Sequence, residues 1–233
     1  MKRACILGLL GALALTLTAS GATVTSVDGY GQWQTGLGGE FTFAQTGLST
    51  AAYVSGETSD IYQSGTFQTF CVDPTVFYAG TTYNVQISDP QTWTGNQLTA
   101  GAAWLYYAFA TGQLFNNYYG YTHSQAGALQ DAIWNFMNIE GPPAANIWNT
   151  YANNALATMS PAAQANAANG IFTFGNLTYQ VDILQLYTGN GPSTDPAGAA
   201  QNQLYLTVPD GGSSAMLLGF GLTAVGCVRR RIK

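Results

Sequence analysis

The sequence predicts an α+β fold: a β-sandwich or barrel-like, strand-rich domain with a helical subdomain inserted at about 97–168. Three observations carry this expectation. Short segments rich in β-branched and aromatic residues, separated by Gly and Ser, occupy the first part of the chain after its leader. From Gln97 the apolar residues recur at helical spacing instead. Strand-like segments then return from Ile171 onward, and helices interrupting strands argue for α+β.

The first strands are expected at Thr23–Asp28, Glu40–Phe43, Thr66–Val72 and Thr81–Ile87. Gly36-Leu37-Gly38-Gly39 lacks the lysine and the following helix of a phosphate loop and reads as a turn. Leu98, Ala102, Leu105 and Phe109 share one helical face between Gln97 and Gly112, with Thr99 placed to cap it and Tyr106 and Tyr107 broadening the stripe. After the aromatic, Asn-rich loop Phe115–Tyr121, Ser124 is placed to cap a second helix running to about Asn138, which Gly141-Pro142-Pro143 stops. Ala144–Met159 reads as a third helix and Pro161–Ala168 as a short fourth. Strands are expected at Ile171–Phe174, Leu177–Leu186 and Gln203–Val208.

Charge is confined to unusual places. All six basic residues lie at the two ends: Lys2 and Arg3, then Arg229, Arg230, Arg231 and Lys233. Only 7% of the chain is charged, against about 25% in an average soluble protein. A body with acidic and no basic side chains cannot grip nucleic acid or an anionic membrane by charge, so no nucleic-acid partner is expected. Solubility must come from Ser, Thr, Asn, Gln and Gly.

Lys2-Arg3, the apolar run Cys5–Leu17 and the small residues Ser20-Gly21-Ala22 form a secretory signal peptide over 1–22, cut by signal peptidase after Ala22. The run is short for a transmembrane helix, and Cys5 precedes the apolar core, so it is no lipoprotein acylation site. At the far end, Val208-Pro209-Asp210-Gly211-Gly212 precedes the apolar run Ser213–Val228 and the arginine cluster. This tripartite segment, 208–233, resembles the PEP-CTERM class of bacterial sorting signals, departing from the commonest Val-Pro-Glu-Pro. The resemblance implies an exosortase-type enzyme as partner and a cell-surface or extracellular destination. The C-terminal helix is then a transient or retained inner-membrane anchor, with the arginines on the cytoplasmic side. A permanent single-span anchor is the alternative.

Between these ends, 23–207 is the size of one domain. Of three cysteines, Cys5 belongs to the leader and Cys227 to the C-terminal run, so Cys71 stands alone and an internal disulfide is impossible. It sits in Thr69-Phe70-Cys71-Val72-Asp73, at the end of an expected strand, and Leu129-Gln130-Asp131-Ala132-Ile133-Trp134 follows on the second helix. Together with Ala102-Ala103-Trp104-Leu105-Tyr106-Tyr107 between them, these segments resemble the Cys-Gln thioester domain at the tips of bacterial surface adhesins. The resemblance covers roughly Phe67–Phe136. It implies that Cys71 sulfur attacks the Gln130 carboxamide, expels ammonia and leaves a thioester. Phe70, Trp104 and Trp134 would shield that bond from water.

Such a bond implies adhesion by single-turnover attachment to an amine-bearing surface protein, polyamine or matrix component, stoichiometric rather than enzymatic. A body without lysine cannot consume its own thioester through a side-chain amine. A structural thioester is a further alternative, although the adhesin resemblance favours reactivity. Cys71 can also be a buried small hydrophobe and Gln130 a helix residue on a solvated face. The other functional class is a non-covalent structural or carbohydrate-binding protein of the extracellular matrix.

His123, the only histidine, precedes Gln130 by two helical turns and is a candidate for assisting proton transfer, or else a loop residue. A Cys71–His123 hydrolase is the enzyme alternative and lacks a flanking signature. Asp73 and Asp131 adjoin the motif residues and either tune them or pair with backbone amides; nothing else supports a glycosidase pair. One histidine and one mature cysteine argue against a nitrogen- or sulfur-ligated metal, and no cofactor is expected. Phe115–Tyr121 is either a glycan-stacking loop or an aromatic loop packed on its own domain.

Overall fold

The computed structural model describes residues 21–26, 34–35, 38–48, 66–74, 82–88, 91–92, 94–115, 120–139, 146–175, 177–188 and 199–207. The expected signal peptide, apart from Gly21 and Ala22, and the segment 208–233 lie outside these residues. Among the described residues the strands are β1 (Thr23–Ser26), β2 (Gln34–Thr35), β3 (Gly38–Thr46), β4 (Thr66–Phe70), β5 (Thr82–Ser88), β6 (Ile171–Phe174), β7 (Leu177–Tyr187) and β8 (Gln203–Thr207). Between β5 and β6 come α1 (Ala100–Ala110), α2 (Ala126–Phe136), α3 (Ile147–Thr158) and α4 (Pro161–Ala168). The helices thus fall within the insertion expected at 97–168.

Every strand pairing is antiparallel. Around the sheet the order is β4–β3–β1–β5–β7–β8, with β2 on the start of β3 and β6 on the start of β7. A bridge between Cys71 and Gln203 joins the end of β4 to the start of β8, and Val72 N–H donates to the Asn202 carbonyl at 2.9 Å. The six strands therefore form a nearly closed barrel, with Cys71 on the seam.

Strand alternation divides the interior into two cores. Along β4, Phe67 and Cys71 join Val24, Phe43, Tyr83, Leu184, Leu186 and Tyr205 in the barrel core. Phe70 and Val72, on the opposite face, join Ile183, Leu204 and Leu206 against the helices. Phe67 lies edge-on to Tyr205 at 5.4 Å, and Phe70 edge-on to Phe109 of α1 at 4.9 Å. The wall made by β4, β7 and β8 is consequently covered on both sides.

That double coverage explains α1. The spacing of Leu98, Ala102, Leu105 and Phe109 predicts one apolar stripe, yet Gly101 through Ala110 are all buried. A helix buried all round sits at the centre of its subdomain. Here it is enclosed by the barrel wall and by α2, α3 and α4. Full burial of a side chain such as Leu105 or Phe109 contributes about 1.5–3 kcal/mol. The Tyr106 hydroxyl donates to the Gln68 carbonyl of β4 at 3.0 Å, pinning α1 to the wall, and burial raises its pKa well above the ordinary phenol range.

Caps behave as their chemistry dictates at three of four helices. Thr99 Oγ1 accepts from Ala102 N–H, Asn146 Oδ1 from Trp148 N–H, and Ser160 Oγ from Ala163 N–H ahead of Pro161. Ser124 does not cap α2. A 3₁₀ turn, His123–Gln125, precedes that helix, and Ser124 Oγ pairs with Thr122 Oγ1 at 2.8 Å. Helix α2 also ends at Phe136, before Gly141; Asn138 turns the chain with a φ of 56°. Of the aromatic loop, Tyr121 is buried against Phe109, Phe115 and Trp148, so its described end packs on its own domain. Ala22 is buried and its carbonyl accepts from Val85 N–H at 3.1 Å, so the packed body starts one residue before the expected leader cut.

Candidate functional site

The β3–β4 ladder runs from Ala44 opposite Thr66 to Glu40 opposite Phe70. The next pair in that register would be Gly39 and Cys71. A side chain takes the place of that pairing. Gln130 of α2 reaches into the ladder, where its Oε1 accepts from Cys71 N–H at 3.0 Å and from Gly39 N–H at 3.2 Å. Its Nε2 donates to the Cys71 carbonyl at 2.7 Å.

Helix α2 makes this possible through its own periodicity. Gln130 and Trp134, one turn apart, share a face. Trp134 Nε1 donates to the same Cys71 carbonyl at 2.9 Å, so two side chains of one helix grip one strand residue. Leu129, Ala132 and Ile133, on the neighbouring face, pack into the helical core and hold α2 at this height. Gly101 of α1 permits the close approach of the two helices: a methyl there would run into the Phe136 ring. Cys71 is fully buried and Gln130 is 1% exposed.

The two N–H groups converge on one amide oxygen, as donors do where negative charge must be stabilised on an oxygen. Gly39 has a φ of +135°, a region that L side chains rarely adopt, so this donor position favours glycine. The sequence reading placed Gly38 and Gly39 in a turn. They instead open β3, paired with Thr35 and Gln34 of β2. Gly39 contributes through its backbone, so no side-chain pattern in the sequence marks it as part of the site. Beside it, the buried Glu40 carboxylate accepts from the Tyr121 hydroxyl at 3.0 Å, tying β3 to the segment that leads into α2.

The remaining candidates separate. Of the three expected shielding rings, Trp134 shares the barrel core with Cys71, whereas Phe70 faces the helices and Trp104 packs in the helical core. The reason is alternation for Phe70 and the opposite face of α1 for Trp104. Asp73 is buried and accepts from Thr94 Oγ1 at 3.2 Å and Asn202 Nδ2 at 3.3 Å, fastening the seam to the segment before α1. Asp131 is exposed, and partial desolvation raises its pKa. His123 begins the 3₁₀ turn ahead of α2; the position of its side chain is outside what is described.

The C-terminal segment carries Val208-Pro209-Asp210-Gly211-Gly212, then the apolar run and the arginines. Residues 207–232 match the VPDSG-CTERM motif. Gly211 stands where the motif's name has Ser. This is a PEP-CTERM-like sorting signal, so the protein is exported and targeted to the cell surface, consistent with processing by an exosortase-type enzyme. The VPDSG form also accounts for the departure from Val-Pro-Glu-Pro. Apart from Thr207 at the end of β8, the VPDSG-CTERM match leaves the barrel and its helices uncovered. No curated protein and no solved structure matches the chain. No helix among the described residues is long and apolar enough to cross a membrane, and the apolar run Ser213–Val228 lies outside them.

Proposed function

We propose that Cys71 and Gln130 form an intramolecular thioester, and that this exported protein uses it for single-turnover attachment to an amine on a surface or matrix molecule. The observation that carries the proposal is the pair of N–H donors, from Cys71 and Gly39, on Gln130 Oε1. Attack of Cys71 Sγ on the carboxamide carbon puts negative charge on that oxygen, where the two donors offset it. Collapse breaks the C–N bond. The thiol proton leaves with the nitrogen, and ammonia departs, leaving Sγ bonded to the acyl carbon. An incoming primary amine then attacks the same carbon, forms an amide with the Gln130 acyl group and returns the proton to Cys71 sulfur. No oxidant or cofactor enters the balance.

Burial suits the intermediate, because water would hydrolyse an exposed thioester. It also sets an order of reactivity: a small amine reaches the carbonyl faster than a bulky one. The chain has no lysine between its terminal clusters to compete from within.

A second reading is favoured by the bond from Gln130 Nε2 to the Cys71 carbonyl, 2.7 Å long. There the carboxamide is a structural plug that satisfies strand groups where the ladder ends, with no covalent step. Intact mass separates the two. The thioester predicts a deficit of one ammonia in the purified protein, absent from Cys71→Ala and Gln130→Ala. Methylamine should convert that deficit into an adduct on Gln130 and expose a thiol at Cys71. A full mass with Cys71 open to alkylation after denaturation in amine-free buffer would eliminate the thioester and leave the plug.

A further inference from the structure

Outside the barrel core that holds Cys71, an open cleft of about 280 Å³ lies between α1, α4 and β6. Its walls include Trp104 and Tyr107 of α1, Phe172 and Phe174 of β6, and the polar residues Gln113 and Asn166. Tyr107 and Phe172 stack at 4.6 Å with their planes 10° apart, making a rigid aromatic wall. Phe174, the last residue of β6, is 69% exposed. Its cross-strand neighbour Leu177 is 44% exposed, so the tip of the β6–β7 hairpin presents two apolar side chains to solvent.

Phe174 at the rim of the cleft is exposed and stands outside the helical core, which Phe172 of the same strand joins. None of the described residues lining the cleft is charged, so they offer no charge pairing to a phosphate, a carboxylate or a cation. The exposed Phe174 ring offers a face to the C–H side of a sugar ring, and Gln113 and Asn166 carry amides of the kind that pair with its hydroxyls. Volume narrows the occupant further. At about 280 Å³ the cleft is just below the usual range of ligand pockets, room for a small unit rather than a large ligand.

We propose that this cleft binds a neutral glycan, holding a sugar unit of an uncharged polysaccharide with Phe174 as the stacking platform. The site is independent of the Cys71–Gln130 chemistry and would let the exported protein rest reversibly on a neutral surface polymer.

Native affinity electrophoresis of the purified protein tests it, with dextran, hydroxyethyl cellulose and galactomannan cast separately into the gel. At least one should retard the protein, with apparent affinity reduced fivefold or more in Phe174→Ala and in Asn166→Ala. Both positions are exposed, so neither change threatens folding; Cys71→Ala should be retarded like the parent. Absence of retardation in all three polymers overturns the proposal, as does retardation unchanged by Phe174→Ala. A fourth gel is cast with dextran sulfate, and retardation there alone overturns the proposal too, because charge rather than stacking would then be the cause. If Phe174→Ala changes the sedimentation coefficient and leaves retardation untouched, the face is a contact between copies and the proposal fails.

Discussion

The barrel seam and the α1–α4–β6 cleft use the same kinds of residue to opposite ends. At the seam, an amide from Gln130 and an indole from Trp134 are turned inward, and each makes short bonds to one strand residue that has no exposure at all. At the cleft, amides from Gln113 and Asn166 line an opening whose rim, Phe174, stands largely in solvent. The seam has the buried carboxylates of Glu40 and Asp73 close by, each held by hydrogen bonds, whereas the described lining of the cleft is uncharged. The lesson is that uncharged polar side chains acquire their role from enclosure. Enclosed, a carboxamide is fixed in orientation and kept dry; at an open rim, the same group stays available to hydroxyls.

The sharpest way to break the contrast is at Gln130. Gln130→Ala strands two buried N–H donors, each at about 1–3 kcal/mol, against a typical domain stability of about 5–15 kcal/mol. Cys71→Ala leaves those bonds in place. On the thioester proposal it still removes a cross-link spanning 59 residues, which by loop closure is about 4 kcal/mol. On the plug reading it removes only a small buried side chain and costs about 1 kcal/mol. Denaturant unfolding of Cys71→Ala therefore distinguishes the two even if Gln130→Ala fails to fold.

Gly101→Ala is next in size. The added methyl meets the Phe136 ring and pushes α1 from α2, an overpacking cost of about 1–3 kcal/mol. Because α2 carries Gln130, the fraction of protein lacking one ammonia should fall as well. The cleft is formed from other faces of α1 and from β6, so glycan retardation should persist. Loss of both properties together would mean that the two regions are one mechanical unit.

Trp134→Phe is subtler. It deletes one of two side-chain donors to the Cys71 carbonyl, so the carbonyl keeps Gln130 Nε2 and the cost is about 1 kcal/mol. If the nitrogen of Gln130 has left as ammonia, Trp134 is the donor that remains of this pair. The substitution should then cost more in the parent than in the Cys71→Ala background, a coupling that a double-mutant cycle by chemical denaturation would read. Equal costs in both backgrounds favour the plug.

How much of this was legible beforehand follows from what each residue does. Side chains that act on their own neighbours were readable: Thr99 is the expected cap of α1 and caps it in the fold, and the fourth helix starts at Pro161 as expected, although its cap, Ser160, was not singled out. The β6 strand and the helical insertion were readable because their periodicity is local. Ser124 misled because Thr122 competes for its hydroxyl. The all-round burial of α1 could not be read, since it depends on a barrel wall assembled from β4, β7 and β8 across the whole chain. Cys71 and Gln130 were singled out by a family resemblance, and no spacing rule links residues this distant. Gly39 was invisible for another reason: its contribution is a backbone N–H aimed by an unusual φ, which sequence pattern does not encode. The cleft escaped because its aromatics come from α1 and from β6, which only the fold makes adjacent.

The smallest expected effect lies next to the sealed amide. Asp131 follows Gln130 on α2, and a rotation of about 100° takes it from the enclosed face to an exposed one. Partial desolvation raises its pKa above the ordinary carboxylate range. A raised folded-state value means that the folded protein holds this proton more tightly than the unfolded chain. Its contribution to stability is therefore full below the unfolded carboxylate pKa and is lost as pH rises through the folded one. At neutral pH the ionised carboxylate is a slight burden, and solvent screening keeps it to about a few tenths of a kcal/mol. Asp131→Asn should accordingly raise the unfolding midpoint slightly at pH 7 and leave it unchanged near pH 3. A gain of the same size at both values would put the effect in packing rather than charge. A loss at pH 7 would mean that the carboxylate is stabilised by its surroundings, and that the environment around Gln130 is more polar than the sealed seam requires.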